Sequence, residues 1–228
     1  MMEHEIRHTL PADIERTSME IIEGELRERG IEIPEERAAV VRRVIHTTAD
    51  FDYAENLRFT EHAVKKAVQM FASCGGAVIT DTNMALAGIS KPSLKKLGAE
   101  AYCFMADPEI AKRAKAQDTT RAAASMAYGA QRFPEAVFAV GNAPTALLKL
   151  EELIRGGLRP SLVVGVPVGF VNVVESKKRI FSVCEEYGIP AIVAFGRKGG
   201  SNVAAAIVNA LLYTAADTLD PSKRGWQG

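Results

Sequence analysis

Apolar residues recur at helical spacing through the first third of the chain, then give way to short β-rich runs separated by helical ones. Residues 12–29 carry a mixed apolar face and stop at Gly30, a residue suited to the left-handed position after a helix. Pro34 fits a first helical position, and Glu35 and Glu36 fit the positive end of the helix dipole. Val40, Val41, Val44 and Ile45 then repeat at helical spacing, which puts His46 near that helix's C-terminus. Residues 50–58 show no clear period and read as a loop, before another helix over about 61–73.

From Gly75 onward, strands are predicted over 77–80, 101–105, 136–140, 162–166 and 191–195. Helices are predicted over 120–133, 143–155, 173–187 and 201–213, and Asp107-Pro108 is a good cap and first-turn pair. Five short apolar strands separated by helices imply a parallel sheet covered on both faces. No Pro- or Ser-rich linker and no internal repeat divides the chain. The expected fold is therefore α/β: one domain over 1–228, a three-layer α/β/α arrangement with a central, mainly parallel five-stranded sheet and an N-terminal helical arm. Residues 1–9 read as a flexible leader and 215–228 as a tail.

Composition narrows the function classes. Lys+Arg and Asp+Glu both total 28, so there is no excess cation for a broad nucleic-acid or membrane-surface footprint. Cys74, Cys103 and Cys184 are widely spaced, with no metal-ligand pair of the C-x-x-C type, and read as buried structural thiols in a reducing compartment. The polar leader lacks an apolar core, and no apolar run approaches the ~18 residues of a membrane span. A cytoplasmic protein with no nucleic-acid or membrane partner is expected.

In an open parallel sheet, ligands collect beyond the carboxyl ends of the strands. The loop Gly196-Arg197-Lys198-Gly199-Gly200-Ser201-Asn202 stands out there. Glycines let backbone N–H groups turn toward an anion, the following helix adds its positive end, and Arg197 can fork onto a carboxylate. Neither a Walker A loop nor a G-x-G-x-x-G fingerprint is present, so nucleotide binding is poorly supported. Asp81-Thr82-Asn83 after the first strand offers hydrogen-bond partners, yet these are also ordinary capping residues.

Of four histidines, His4 and His8 lie in the leader, and His62 lies beside Lys65 and Lys66. His46 instead follows an apolar run and precedes two hydroxyls and an acid, a setting suited to proton chemistry near neutral pH. Asp50 and Asp52 are candidates to orient it, and equally candidates for plain solvation. A histidine simply favoured by the helix dipole is the competing reading. No G-x-S-x-G elbow supports a triad, and no second His or Cys at ligand spacing supports a metal.

Five fragments occur in order: Ile14-Glu15-Arg16-Thr17-Ser18, His46-Thr47-Thr48-Ala49-Asp50, Thr80-Asp81-Thr82-Asn83-Met84, Val166-Pro167-Val168-Gly169-Phe170-Val171 and Gly196-Arg197-Lys198-Gly199-Gly200-Ser201. Through them the chain, from about residue 13 to 212, resembles the precorrin-8X and cobalt-precorrin-8 methylmutases of cobalamin biosynthesis. The resemblance implies a cofactor-free isomerase that moves a methyl group from C11 to C12 of a tetrapyrrole, giving hydrogenobyrinate or cobyrinate. It implies an α/β homodimer with its sites near the subunit boundary, and His46 as the single catalytic histidine, assisting by proton donation. Arg197, Lys198, Gly199, Gly200 and Ser201 then suit the ring's rim carboxylates, and Phe170 and Val171 its face. Ser18, Thr82 and Asn83 become polar contacts, and Arg121 a contact reaching over from the partner subunit. Two other classes remain open: a tetrapyrrole carrier, which would tolerate loss of His46, and an unrelated nucleotide-binding α/β enzyme.

Overall fold

Alternate residues of the central strands enter two different cores, and this organises the whole molecule. Val78, Ala139, Val164 and Ile192 face one helical layer, while Ile79, Phe138, Val163 and Val193 face the other. Such two-sided burial is what makes each strand a continuous apolar run. The protein, seen here as a computed structural model, is described over residues 10–224. The predicted leader with His4 and His8, and residues 225–228, lie outside the described residues.

The N-terminal part comprises α1 (Pro11–Glu28), α2 (Glu35–Thr48), the single turn α3 (Tyr53–Asn56), β1 (Leu57–Phe59) and α4 (Ala63–Cys74). There follow β2 (Ala77–Thr80), α5 (Asn83–Gly88), α6 (Lys91–Leu97), β3 (Glu100–Tyr102), α7 (Pro108–Ala116) and α8 (Arg121–Arg132). The remainder is β4 (Val137–Val140), α9 (Pro144–Arg155), β5 (Leu162–Gly165), α10 (Val173–Glu186), β6 (Ala191–Ala194) and α11 (Ser201–Ala215). Strand order is β1-β6-β5-β4-β2-β3, all neighbours being parallel except the β1–β6 pair. α2, α4 and α11 cover one face and α8, α9 and α10 the other, which bears out the three-layer α/β/α architecture.

Among the described residues the sheet has six strands rather than the five expected. The extra strand, β1, pairs antiparallel with β6 (Leu57 opposite Ala194, Phe59 opposite Ile192) inside the stretch read as a loop. With three residues it is too short to show an alternation of its own, and it exists because β6 presents a free edge. Thr60 locks the join: its Oγ1 accepts from the Ala191 N–H (2.8 Å) and donates to the Ile189 carbonyl (3.1 Å).

The stretch read as a tail is docked as far as Arg224. Lys96 donates to the Ala216 carbonyl (2.7 Å), and a 3₁₀ turn over Pro221–Arg224 brings Arg224 against α1. Cys184 is buried and its thiol is pushed up to about 12 by burial, as an inert core residue. Cys103 is only half-buried, and the Cys74 side chain lies outside the description.

Candidate active site

The buried stripe Val40, Val41, Val44 and Ile45 sets the rotation of α2 and leaves His46 half-buried on its flank. Ala49, in the left-handed conformation (φ 52°), ends the helix by donating to the Ile45 carbonyl (2.7 Å). His46 borders a dense charge cluster. Arg43 Nη2 donates to Glu15 Oε1 (2.6 Å), and Arg224 Nη1 donates to both Glu15 oxygens (2.8 Å each). Both guanidiniums also lie over the Tyr213 ring, at 5.3 Å and 4.0 Å from its centroid. The Glu15 and Arg224 side chains are only 13% and 6% exposed.

Burial alone would push the Glu15 carboxyl up, but the hydrogen bonds and charges of Arg43 and Arg224 prevail and hold it below the usual carboxylate range. The His46 imidazole is lowered, first by burial and then by the Arg43 charge; Arg224 adds to this and Glu15 opposes it. The imidazole is therefore neutral around pH 7, with one N–H to give and one nitrogen to accept.

Asp50 and Asp52 do not serve His46. Both accept from Lys198 Nζ at 2.6 Å, which ties the loop after α2 to the loop after β6. Those two carboxylates raise the Lys198 pKa, so the ammonium is committed to them instead of standing as an isolated point charge. The acid whose charge favours the imidazolium is Glu15. It lies within the first quoted fragment, one helical turn from Ser18, whose Oγ donates back to the Ile14 carbonyl (2.7 Å).

The carboxyl edge of the sheet gathers most of the other predicted residues. Thr82 caps α5 by accepting from the Ala85 N–H (3.0 Å), and its hydroxyl meets that of Ser201 at 2.7 Å. Asn83 follows, exposed, at the start of α5. Buried Asp81 accepts from the N–H groups of Gly141, Asn142 and Ala143 (2.8, 2.8 and 2.7 Å), so it organises the loop after β4. A side chain at Gly199 would overlap the Val166 carbonyl, and one at Gly141 would lie 2.7 Å from Ser201 Cα. Glycine is required at both positions for the loops after β4, β5 and β6 to touch.

Phe170 and Val171 stand out from the β5–α10 loop at 81% and 76% exposure, with Arg197 stacked 5.4 Å from the Phe170 ring centroid. Arg121 is exposed at the start of α8 and pairs with nothing among the described residues. The neighbouring Thr120–Thr145 hydroxyl contact (2.8 Å) places that helix start beside the start of α9, on the same rim.

A recess of about 250 Å³ opens between α2, α5 and α11, lined by Arg43 and Thr47 of α2, Gly88 of α5, and Asn202, Asn209 and Tyr213 of α11. A larger cavity, about 560 Å³, lies along the other flank of α2 and shares Glu15 and Arg43 with the cluster. The smaller recess is the better candidate, because it opens between α2 and α11, and Thr47 and Asn202 in its lining follow His46 and Ser201 in the chain. Among the described residues no group of three or more His, Cys, Asp or Glu is placed to hold a metal ion, and no helix is long and apolar enough to cross a membrane.

Sequence reasoning missed Glu15, Arg43, Arg224 and Lys177. Glu15 sat in a quoted fragment, and Arg43 lies one turn before His46 on the same flank. Lys177 occupies a core position on a helical stripe with Val173, Ile180 and Cys184, an anomaly that the spacing could have exposed. Arg224 carries no local signal.

Known proteins match this arrangement over nearly its whole length. A family model described as precorrin-8X methylmutase matches residues 13–214. The cobalt-precorrin-8 methylmutase of Salmonella typhimurium is 43% identical over 211 residues, 89% of this chain and 95% of its own. That of Leptospira interrogans is 40% identical over 222 residues, covering 95% and 96%. The solved structure of precorrin-8x methyl mutase from Thermus thermophilus superposes with a TM-score of 0.81 at 41% identity, over 90% of this chain and 96% of that one. The chain belongs to the precorrin-8X methylmutase family.

Proposed function

We propose that this protein is an intramolecular transferase of cobalamin biosynthesis that moves a methyl group from C11 to C12 of a precorrin-8-type ring, with His46 as the group that meets the proton. The product is hydrogenobyrinate, or cobyrinate when the ring carries cobalt. Family membership supports the reaction. The observation that carries the residue assignment is His46, half-buried on α2 and tuned by Arg43, Glu15 and Arg224.

Migration breaks one carbon–carbon bond and makes another within a single molecule, so atoms and electrons balance without a methyl donor, oxidant or reductant. The protein must hold a reactive ring shape and manage a proton. Holding the ring in a near-attack conformation contributes to the rate. A positioned acid adds typically ~10²–10⁴-fold. His46 enters neutral and takes up a proton from solvent as the ring's carboxylates raise its proton affinity; it lends that proton to the ring during migration and recovers it as the product forms, so none is consumed.

The rim carboxylates are taken by Arg197 and by the backbone N–H groups of Gly199 and Ser201, while Gly200, whose own N–H is held by the Val166 carbonyl, shapes the turn between them. Phe170 and Val171 cover the ring face, and Ser18, Thr82 and Asn83 contribute polar contacts. Lys198 acts from behind, by tying the Asp50–Asp52 loop to the glycine-rich loop. A recess of about 250 Å³ falls short of the ~300–1,000 Å³ of ordinary ligand sites. A second copy of the chain closes it, with the partner's Arg121 reaching the ring, in a cytoplasmic homodimer.

The test is His46→Ala, followed by the visible spectrum of the product. The variant is expected to fold, bind the tetrapyrrole and lose methyl migration. Full turnover would remove His46 from the mechanism, while wild-type binding without turnover would favour a carrier. Parallel assays with metal-free and cobalt-bearing rings read the preferred substrate.

A further inference from the structure

Lys177 is a cation in the core without an anion beside it. Its side chain is fully buried on α10, and Nζ donates to the carbonyls of Gly196 (2.9 Å) and Lys198 (2.7 Å). No carboxylate pairs with it among the described residues. Buried charges are ordinarily paired, and an apolar residue of similar volume at such a site is often neutral or stabilising. Fold stability alone therefore does not account for a lysine here.

Its two acceptors belong to the glycine-rich loop, and peptide geometry makes that consequential. In a trans peptide the C=O of one residue and the N–H of the next point in opposite directions. Drawing the Gly196 and Lys198 carbonyls inward therefore turns the N–H groups of Arg197 and Gly199 outward, away from the core. Neither N–H has an acceptor among the described residues. Their neighbours are satisfied: the Arg197 carbonyl accepts from the Gly169 N–H (3.2 Å), and the Gly200 N–H donates to the Val166 carbonyl (2.9 Å). What remains is two outward donors over a buried positive charge, the kind of backbone concavity that takes anions.

We infer that Lys177 is a positioning residue for anion recognition: it locks the loop so that the Arg197 and Gly199 N–H groups form a fixed cradle for a ligand carboxylate, and the ligand supplies the counter-charge that the core lacks. This rests on the reading of the glycine-rich loop as the edge that takes the ring's rim carboxylates. Lys177 touches no reacting atom, so its loss falls on binding and leaves the chemistry at His46 in place.

The test uses citrate as a carboxylate probe, followed at the individual amides by NMR of the full-length protein. In the wild type, the Arg197 and Gly199 amide signals are expected to move as citrate is added. In Lys177→Met the same titration is expected to give a dissociation constant about tenfold higher, the size of one lost charge-assisted contact. The remaining spectrum and the melting temperature should change little. Lys177→Leu, smaller and equally without donors, gives a second reading. Silent Arg197 and Gly199 amides in the wild type would overturn the inference whether or not a variant folds, as would an unchanged dissociation constant in either folded variant. Turnover of the precorrin-8 ring is measured separately. A raised KM with kcat preserved in Lys177→Met supports a positioning role, and a fallen kcat with unchanged KM refutes it. If the wild type fails to turn the ring over while its citrate response still depends on Lys177, the methylmutase reading falls and the cradle stands.

Discussion

The α2 flank and the glycine-rich loop handle charge in opposite ways, although Lys198 physically ties their loops together. Around His46 the charges are side chains, densely paired and mostly sheltered, and their balance sets how readily an imidazole holds a proton. Around Gly199 the working groups are backbone N–H donors, fixed in direction by a single buried lysine, while the charged side chains stand exposed. Tuning a proton requires titratable neighbours at short range. Recognising a carboxylate requires donors whose direction does not change. The division predicts that damage to the first region falls on rate and proton affinity, and damage to the second on binding.

Four measurements would break or sharpen that contrast. The largest effect is expected from His46→Ala, with kcat down by ~10²–10⁴ and tetrapyrrole binding retained in an absorption titration. A comparable loss of binding would mean that the two regions are not separable.

Next is Glu15→Gln, which leaves two largely buried guanidiniums without their carboxylate. Removing one partner of a buried pair costs about 3 kcal/mol, readable from denaturant unfolding. The same change removes the one charge that favours the imidazolium, so the His46 pKa should drop further below its ordinary value in an NMR titration. A rise would refute the electrostatic account of the cluster.

Lys177 gives a pH signature at the other region. Burial pushes its pKa down from 10.5 to about 8. Between those values the unfolded chain still holds a proton that the folded protein has released, so stability rises with pH across that window. The gain is on the order of 3 kcal/mol, measured as the difference between wild type and Lys177→Met in unfolding from pH 7.5 to 10.5. Parallel curves would place the lysine outside the core. The smallest effect is expected from Arg197→Ala, with KM for the ring raised up to about tenfold, one charge-assisted contact, and kcat unchanged. An unaltered dissociation constant would count against its role at the rim.

Much of this was legible beforehand, for reasons that can be named. The core strands were visible because both faces of the sheet are covered, which turns each strand into an apolar run. The helix carrying His46 was visible because one stripe is buried and the rest is not. The glycine-rich loop was visible because two strand-end loops approach so closely that only glycine fits at residue 199. β1 was hidden, because three residues cannot display an alternation and their pairing depends on the free edge of β6. The pairing of Asp50 and Asp52 with Lys198 is hidden too, because an acid near a histidine in the chain is not thereby its partner in space.

By itself, then, the sequence determined what is periodic or local: the α/β alternation, the position of His46 at a helix end, the glycines that permit close approach, and membership of a methylmutase family through five ordered fragments. Only the tertiary structure decided which charges meet. Glu15 and Arg224 lie 209 residues apart and leave no mark on each other's neighbourhood in the chain. Lys177 reaches carbonyls 19 and 21 residues away, and its consequence is carried by peptide groups whose direction no side chain encodes. Burial and Coulomb interaction act through space, so the proton affinity of His46 and the aim of the anion-binding donors exist only once the chain has folded.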